Sequence, residues 1–163
     1  MLKVIGASLL ALLILVPASL LLAGQFNFLT GQRPTDLGAG RGMLKAPDAS
    51  KENSISSQAA LHPHTDYHLI APLAFKGDGK RVFSKLTAIV RAMDGARVID
   101  AQPDYLYAQF QSKWLKFIDD VEFVLDDKDG VIHMRSASRL GQSDLGANRR
   151  RLEAVRTQLE LQQ

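Results

Sequence analysis

The hydrophobic pattern divides the chain into three stretches. Over residues 4–23 apolar side chains follow one another almost without a break, and no charged residue occurs between Lys3 and Arg33. At 1.5 Å rise per residue, a helix of that length spans roughly the 30 Å hydrocarbon core of a bilayer. In lipid a single segment satisfies its own backbone hydrogen bonds only as a helix. The run therefore predicts a transmembrane helix over residues 1–25, despite Pro17. From 26 to 65 neither a period of two nor one of 3.6 persists, and Gly31, Gly38, Gly40, Gly42, Pro34, Pro47 and Pro63 punctuate a polar stretch. That composition predicts a linker or an extended segment wrapped over a neighbouring domain. Residues 66–163 regain regular periods and predict the domain itself.

Within that domain, 67–70 is a candidate first strand. Val82, Leu86, Ile89 and Met93 recur at helical spacing, and Asp94-Gly95 supplies a stop. Segments 96–101 and 105–112 alternate as strands around Gln102-Pro103-Asp104, with Leu106, Ala108 and Phe110 on one face and Tyr105, Tyr107 and Gln109 on the other. Two further strands, 117–126 and 131–139, flank Asp127-Lys128-Asp129-Gly130, whose glycine suits a positive φ. Leu145, Leu152, Val155 and Leu159 form the stripe of a closing helix, with Asp144 or Ser143 as N-cap. The order β-α-β-β-β-β-α predicts an α+β fold: an antiparallel sheet of about five strands packed against two helices, preceded by the transmembrane helix.

Lys3 and the α-amino group favour a cytoplasmic N-terminus, which puts the bulk of the chain on the extracytoplasmic (periplasmic) side. Arg33, Arg41 and Lys45 beyond the run weaken that orientation. A cleaved signal peptide is the competing reading, with Ala23 and Gly24 as small residues for a peptidase, and it exports the remainder to the same side. Leu22-Ala23-Gly24-Gln25 has the shape of a lipoprotein box with Gln where the lipid-bearing Cys must stand, which excludes lipidation. The absence of cysteine also excludes disulfides, thiol nucleophiles and Cys-based zinc sites.

Net charge is +3, but it is unevenly laid out. Six acids crowd 119–129, and six arginines crowd 135–156. Opposite blocks so near in sequence neutralise each other within a fold. No nucleic-acid motif accompanies the charge, so nucleic acid is not an expected partner.

With a four-residue loop at 127–130, Asp126 pairs with Val131, which sets Glu122 opposite Arg135 and Asp120 opposite Ala137. Asp120 then sits diagonally between Arg135 and Arg139, while Phe123–Met134 and Leu125–Ile132 form the core side. A one-residue slip would oppose apolar to charged side chains, so hydrophobic pattern and charge select one register. On the closing helix Asn148 falls in the middle of the apolar stripe, flanked by Arg149 and Arg156. A buried amide must find partners, and the 136–143 segment or a backbone edge supplies them. Asp120, Glu122, Arg135, Ser138, Arg139, Ser143, Asp144, Asn148 and Arg149 thus form the candidate site. Three readings stay open for it. The first is an arginine–carboxylate network that fixes register, and the second is an anion site in which Arg135, Arg139 and Arg149 grip a carboxylate or phosphate. The third is catalysis, for which no nucleophile–base pair is indicated.

The runs 119–123 and 135–151, together with Tyr105-Leu106-Tyr107-Ala108, His68-Leu69-Ile70-Ala71-Pro72-Leu73 and Ile55-Ser56-Ser57-Gln58, resemble the signature of the domain of unknown function 1499 family over roughly 36–158. The resemblance implies kinship with bacterial, often exported or membrane-attached, and plastid proteins, and no particular activity. Many relatives carry a Cys pair near the Ser-Ser-Gln element; here Ala46 and Ser54 stand nearby, so no role here depends on those thiols.

Weaker signals remain. His62, His64, Asp66 and His68 crowd Pro63, but exposed loop histidines are commoner than zinc ligands, and no metal or other cofactor is expected. His133 lies on the charged strand face. Gly77-Asp78-Gly79-Lys80 lacks P-loop spacing and reads as a turn. Tyr105, Tyr107 and Trp114 suit either a membrane or partner surface or an ordinary sheet. The leading expectation is a membrane-anchored, non-catalytic binding or assembly domain with a protein partner or anionic lipid. The rivals are an enzyme acting on a lipid-derived substrate in a helix–sheet cavity and a purely structural envelope protein.

Overall fold

A computed structural model describes residues 2–38, 40 and 42–162, without the side chains of 2–4, 6, 7 and 10. The charges of Arg41 and Lys3 and the α-amino group, used above to argue orientation, lie outside that description. Helix α1 runs Leu2–Gln25 with Pro17 inside it. Its apolar side chains, among them Leu12, Leu13, Ile14, Leu15 and Val16, are exposed. Among the described residues, no helix is long and apolar enough to cross a membrane. The stretch expected as a transmembrane helix over 1–25 is thus helical, as α1, without a membrane-spanning helix among the described residues.

The sheet contains β1 (Ser54–Ser56), β2 (Leu73–Ala74), β3 (Ala96–Ala101), β4 (Tyr105–Gln111), β5 (Ile118–Asp126) and β6 (Val131–Ser138). Its order is β1-β6-β5-β4-β3, with β2 also on β6, and every pairing is antiparallel. Helices α2 (Gly79–Ala92) and α3 (Ala147–Glu160) cover one face. There Val82, Phe83, Leu86, Leu152, Val155 and Leu159 meet Leu106, Phe110, Val121, Phe123, Ile132 and Met134. Each such side chain contributes about 1.5–3 kcal/mol by leaving water, and together they make the helix–sheet interface a filled core.

The β5–β6 register is the expected one, with Glu122 opposite Arg135, Asp120 opposite Ala137 and Phe123 opposite Met134. Gly130, at φ +65°, closes the turn. Other elements differ from expectation. Residues 67–70 form no strand; Asp66–His68 is a single 3-10 turn, because Thr65 N–H and Oγ1 both bond the His68 ring and coil the chain. The strand that fills this edge of the sheet is β1, drawn from the stretch expected as linker, with Ile55 fully buried. Leu145, assigned to the closing helix's stripe, is 84% exposed at φ +52°. The helix begins two residues later, after the αL cap Gly146.

The second face of the sheet is withdrawn from solvent around Tyr107, Asp120, Glu122 and Arg135. The described residues of 31–53 cross it as a strap: Arg33 stacks 4.5 Å from the Tyr107 ring centroid, and Gly38 N donates to Glu122 at 2.9 Å. Leu44, nearly fully buried, donates its N–H to Gln58 Oε1 at 2.7 Å. This explains why Asp120 through Val124 are all buried in succession, when a one-sided sheet would alternate.

Candidate functional site

Alternation along β5 and β6 sends the predicted site residues to opposite faces, so they form two clusters. On the strap side Asp120, 1% exposed, receives a bidentate fork from Arg139, Nε to Oδ2 at 2.9 Å and Nη2 to Oδ1 at 2.8 Å. The Tyr107 hydroxyl adds a third bond to Oδ1 at 2.6 Å. Glu122, wholly buried, accepts from the Tyr105 hydroxyl at 2.8 Å, from Gly38 N, and from Arg135 Nη1 at 3.2 Å. Burial, followed by the neighbouring carboxylate, raises the Tyr105 hydroxyl far above its ordinary value; burial and the bond to Asp120 raise that of Tyr107. Both phenols therefore stay protonated donors. Neither carboxylate is left over for general acid or base work.

On the helix side, Asn148 behaves as its place in the stripe demanded. Its Nδ2 donates to Asn53 O at 3.0 Å and to Ser138 Oγ at 3.1 Å, while Oδ1 accepts from Ser136 Oγ and from Arg151 Nη1. Arg151 continues to Asp119 at 2.6 Å. The charge pattern along the sequence gave Arg151 and Asp119 no place in the site, although the strand–helix geometry makes them a pair. Asp144 accepts from the amides of Gly146 and Asn148 and from the Tyr67 hydroxyl. Burial works to raise the Asp144 carboxyl, but these bonds outweigh it and hold it below its ordinary value; Tyr67, by burial and by Asp144, is pushed up to about 12. Ser143 only caps Leu145 N.

The three-arginine grip is corrected by this geometry. Arg149 lies on the helix side, where its Nη2 donates to the carbonyls of Tyr67 and Leu69. Arg135 and Arg139 lie across the sheet from it. The separation follows from pleating: odd-numbered β6 residues face the strap, whereas α3 packs on the other side. Within the histidine group, His68 has a structural place. His68 is fully buried, its Nδ1 bonded by Thr65 and its Nε2 against Lys51 O. Among the described residues no cluster of His, Asp and Glu suits a metal ion.

Sequence reasoning missed a cleft of about 360 Å³ on the strap side, bordered by Lys45, Lys51, Ser54, Arg135 and Arg139 among others. Ser54 and Arg135 are diagonal neighbours on adjacent strands, since Ser54 pairs with Ala137 and Ser56 with Arg135. Ser54 Oγ and Arg135 Nε are both buried without a hydrogen-bond partner among the described residues. The signal was hidden because β1 lay inside the apparent linker. The cations of this cleft are otherwise matched: Lys45 by Asp36, Lys51 by Asp48, Arg135 by Glu122 and Arg139 by Asp120.

A family model described as protein of unknown function (DUF1499) matches residues 46–159. The chain belongs to the DUF1499 family. The match takes in the whole sheet, α2, α3 and both polar clusters, and leaves α1 and the first part of the strap outside it. Arg33 and Gly38, which contact Tyr107 and Glu122, lie outside the matched span. Neither the comparison with curated proteins nor that with solved structures gives a match.

Proposed function

We propose that this DUF1499 chain is a membrane-anchored, extracytoplasmic, non-catalytic binding domain that takes a small anionic group into the cleft between the strap and β6. One observation carries the reading. Arg135 and Ser54, residues 4% and 3% exposed, border that cleft, and their Nε and Oγ are buried with no partner among the described residues. A buried polar group left unpaired costs about 1–3 kcal/mol, and an acceptor lodged in the cleft removes that cost. Each lining cation already has its carboxylate, so the cleft is close to neutral, and a small anion would be held there by the unpaired N–H and O–H donors rather than by net charge. A carboxylate or a singly charged phosphate offers the acceptors that a guanidinium N–H and a hydroxyl require. The volume is at the small end for ligand sites, which favours a small acid or a headgroup fragment.

The anchor rests on residues 4–23, which carry no charge, and on the helical course of α1. Gly24 supports retention over cleavage. It is buried, and a Cβ there would lie 2.7 Å from the Leu115 carbonyl oxygen. Packing therefore demands the small residue that a peptidase would otherwise explain. The enzyme reading has less support: the helix–sheet interface is filled, and Arg139, Asp120 and Asn148 are consumed by internal bonds. Ser57 Oγ does lie 3.2 Å from His133 Nδ1, but it also accepts Met134 N–H and serves the β6 edge.

Thermal unfolding of the full-length chain in micelles, with acetate, inorganic phosphate and chloride at matched ionic strength, tests the site. Saturable stabilisation by acetate or phosphate is expected, weakened in Ser54→Ala and in Arg135→Lys, which keeps the charge but loses Nε. Stabilisation that follows ionic strength alone, equal in all three proteins, contradicts it. Alkaline carbonate extraction tests the anchor, and release of the chain from membranes would reject it.

A further inference from the structure

The chain's single tryptophan lies in loop 112–117, between β4 and β5. Trp114 is 66% exposed, and Lys113 Nζ lies 5.4 Å from its ring centroid. A tryptophan is among the largest apolar surfaces a protein has to bury, yet among the described residues most of this one stays uncovered. The loop is held in a definite place: the contact of Gly24 with Leu115 ties it to the last turn of α1. Immediately after α1 come Phe26 and Phe28, 69% and 76% exposed, with ring centroids 6.4 Å apart. Beside the loop a shallow cleft of about 790 Å³ is bordered by Arg97, Lys113 and Lys116, with Asp94 as its acid. Exposed aromatic rings and cations thus collect where the apolar helix leaves the domain.

We infer that this end of the domain is a bilayer-contact surface, in which Trp114, Phe26 and Phe28 enter the interfacial layer while Lys113, Lys116 and Arg97 face anionic headgroups. The inference rests on the anchor reading above and goes beyond it by fixing how the domain is seated. The physical reasons are those of every membrane interface. Amphipathic aromatic rings settle at the headgroup level, lysine stems lie along apolar surface with the ammonium in water, and basic groups are drawn to anionic lipid. Continuity with α1 and the sign of the charge both select a lipid surface as the occupant. In this seating the strap-side cleft stays anchored at a set height above the membrane, rather than swinging on a tether.

Because Trp114 is the sole tryptophan, its emission reports on this loop alone. The full-length chain is reconstituted into phosphatidylcholine vesicles with and without phosphatidylglycerol, with lipids brominated near the glycerol end or near the chain terminus. The expected result is loss of emission with the first bromine position, less loss with the second, and protection from aqueous acrylamide. Lys113→Glu is expected to weaken the quenching in phosphatidylglycerol vesicles and to change it little in phosphatidylcholine alone. If the chain resists carbonate extraction but its emission ignores brominated lipid and responds to acrylamide, this inference falls and the anchor stands. If carbonate releases the chain, both fall. Emission shielded from both quenchers, and dependent on the protein-to-lipid ratio, would assign the surface to a second copy and overturn the lipid assignment.

Discussion

Truncation of Arg139 to alanine removes both arms of the fork on Asp120 and leaves that carboxylate, 1% exposed, with the Tyr107 hydroxyl alone. Exposed ion pairs are worth little, but here the two side chains are 6% and 2% exposed, so water cannot take the place of the lost partner. Breaking a buried pair from one side costs about 3–5 kcal/mol, most of it the penalty of the stranded charge. For a chain of this length each kcal/mol lowers the melting temperature by about 2–4 °C, so Arg139→Ala should lower it by about 6–20 °C. Circular dichroism of the full-length chain in micelles measures this. The double variant Asp120→Asn, Arg139→Gln removes both charges while keeping an acceptor for Tyr107, and it should melt above Arg139→Ala. The reasoning is refuted if Arg139→Ala costs less than about 1 kcal/mol, or if the double variant melts below the single one.

Three further outcomes follow from the same geometry. All three tyrosines have hydroxyls raised above their ordinary value, Tyr67 to about 12. Their protonated forms therefore contribute stability that is complete below the unfolded value near 10 and is lost as pH rises through the folded values; tyrosinate absorbance from Tyr105 and Tyr107 should appear only together with unfolding. Asp144 is shifted the other way, so its contribution is present above the ordinary carboxylate value of 3.8 and is lost as pH falls below it; Asp144→Asn should flatten that acid limb of a stability–pH curve. Asn148→Leu removes the acceptor of the Ser136 O–H, whose oxygen keeps only the bond from Arg151, and should cost about 2 kcal/mol in chemical denaturation despite the added apolar side chain.

Much of the architecture was legible because two independent signals agreed. The β5–β6 register was fixed both by apolar alternation and by the opposition of Glu122 to Arg135, and Asn148 declared a buried polar junction by standing inside an apolar stripe. The failures have equally physical causes. Pleating, not sequence distance, decides which residues share a face, so Arg149 could not join Arg135. Leu145 matched a helical period but sits before a left-handed glycine cap. A wrapping segment was one of the two readings of 26–65, but its docking was not legible because it has no period of its own: it is held by backbone bonds such as Gly38 to Glu122, and by Arg33 stacked on Tyr107, which no local pattern announces. The cleft that it forms with β1 was therefore invisible in the sequence, although its arginine was named.

The most direct test is the nitrogen–proton resonance of arginine Nε in the full-length chain, followed as acetate or inorganic phosphate is added. The Arg135 signal should shift and exchange more slowly with water as its free N–H gains an acceptor. The Arg139 signal, already bonded to Asp120, should stay in place. An Arg135 resonance that does not move as either anion is raised to saturation would contradict the account.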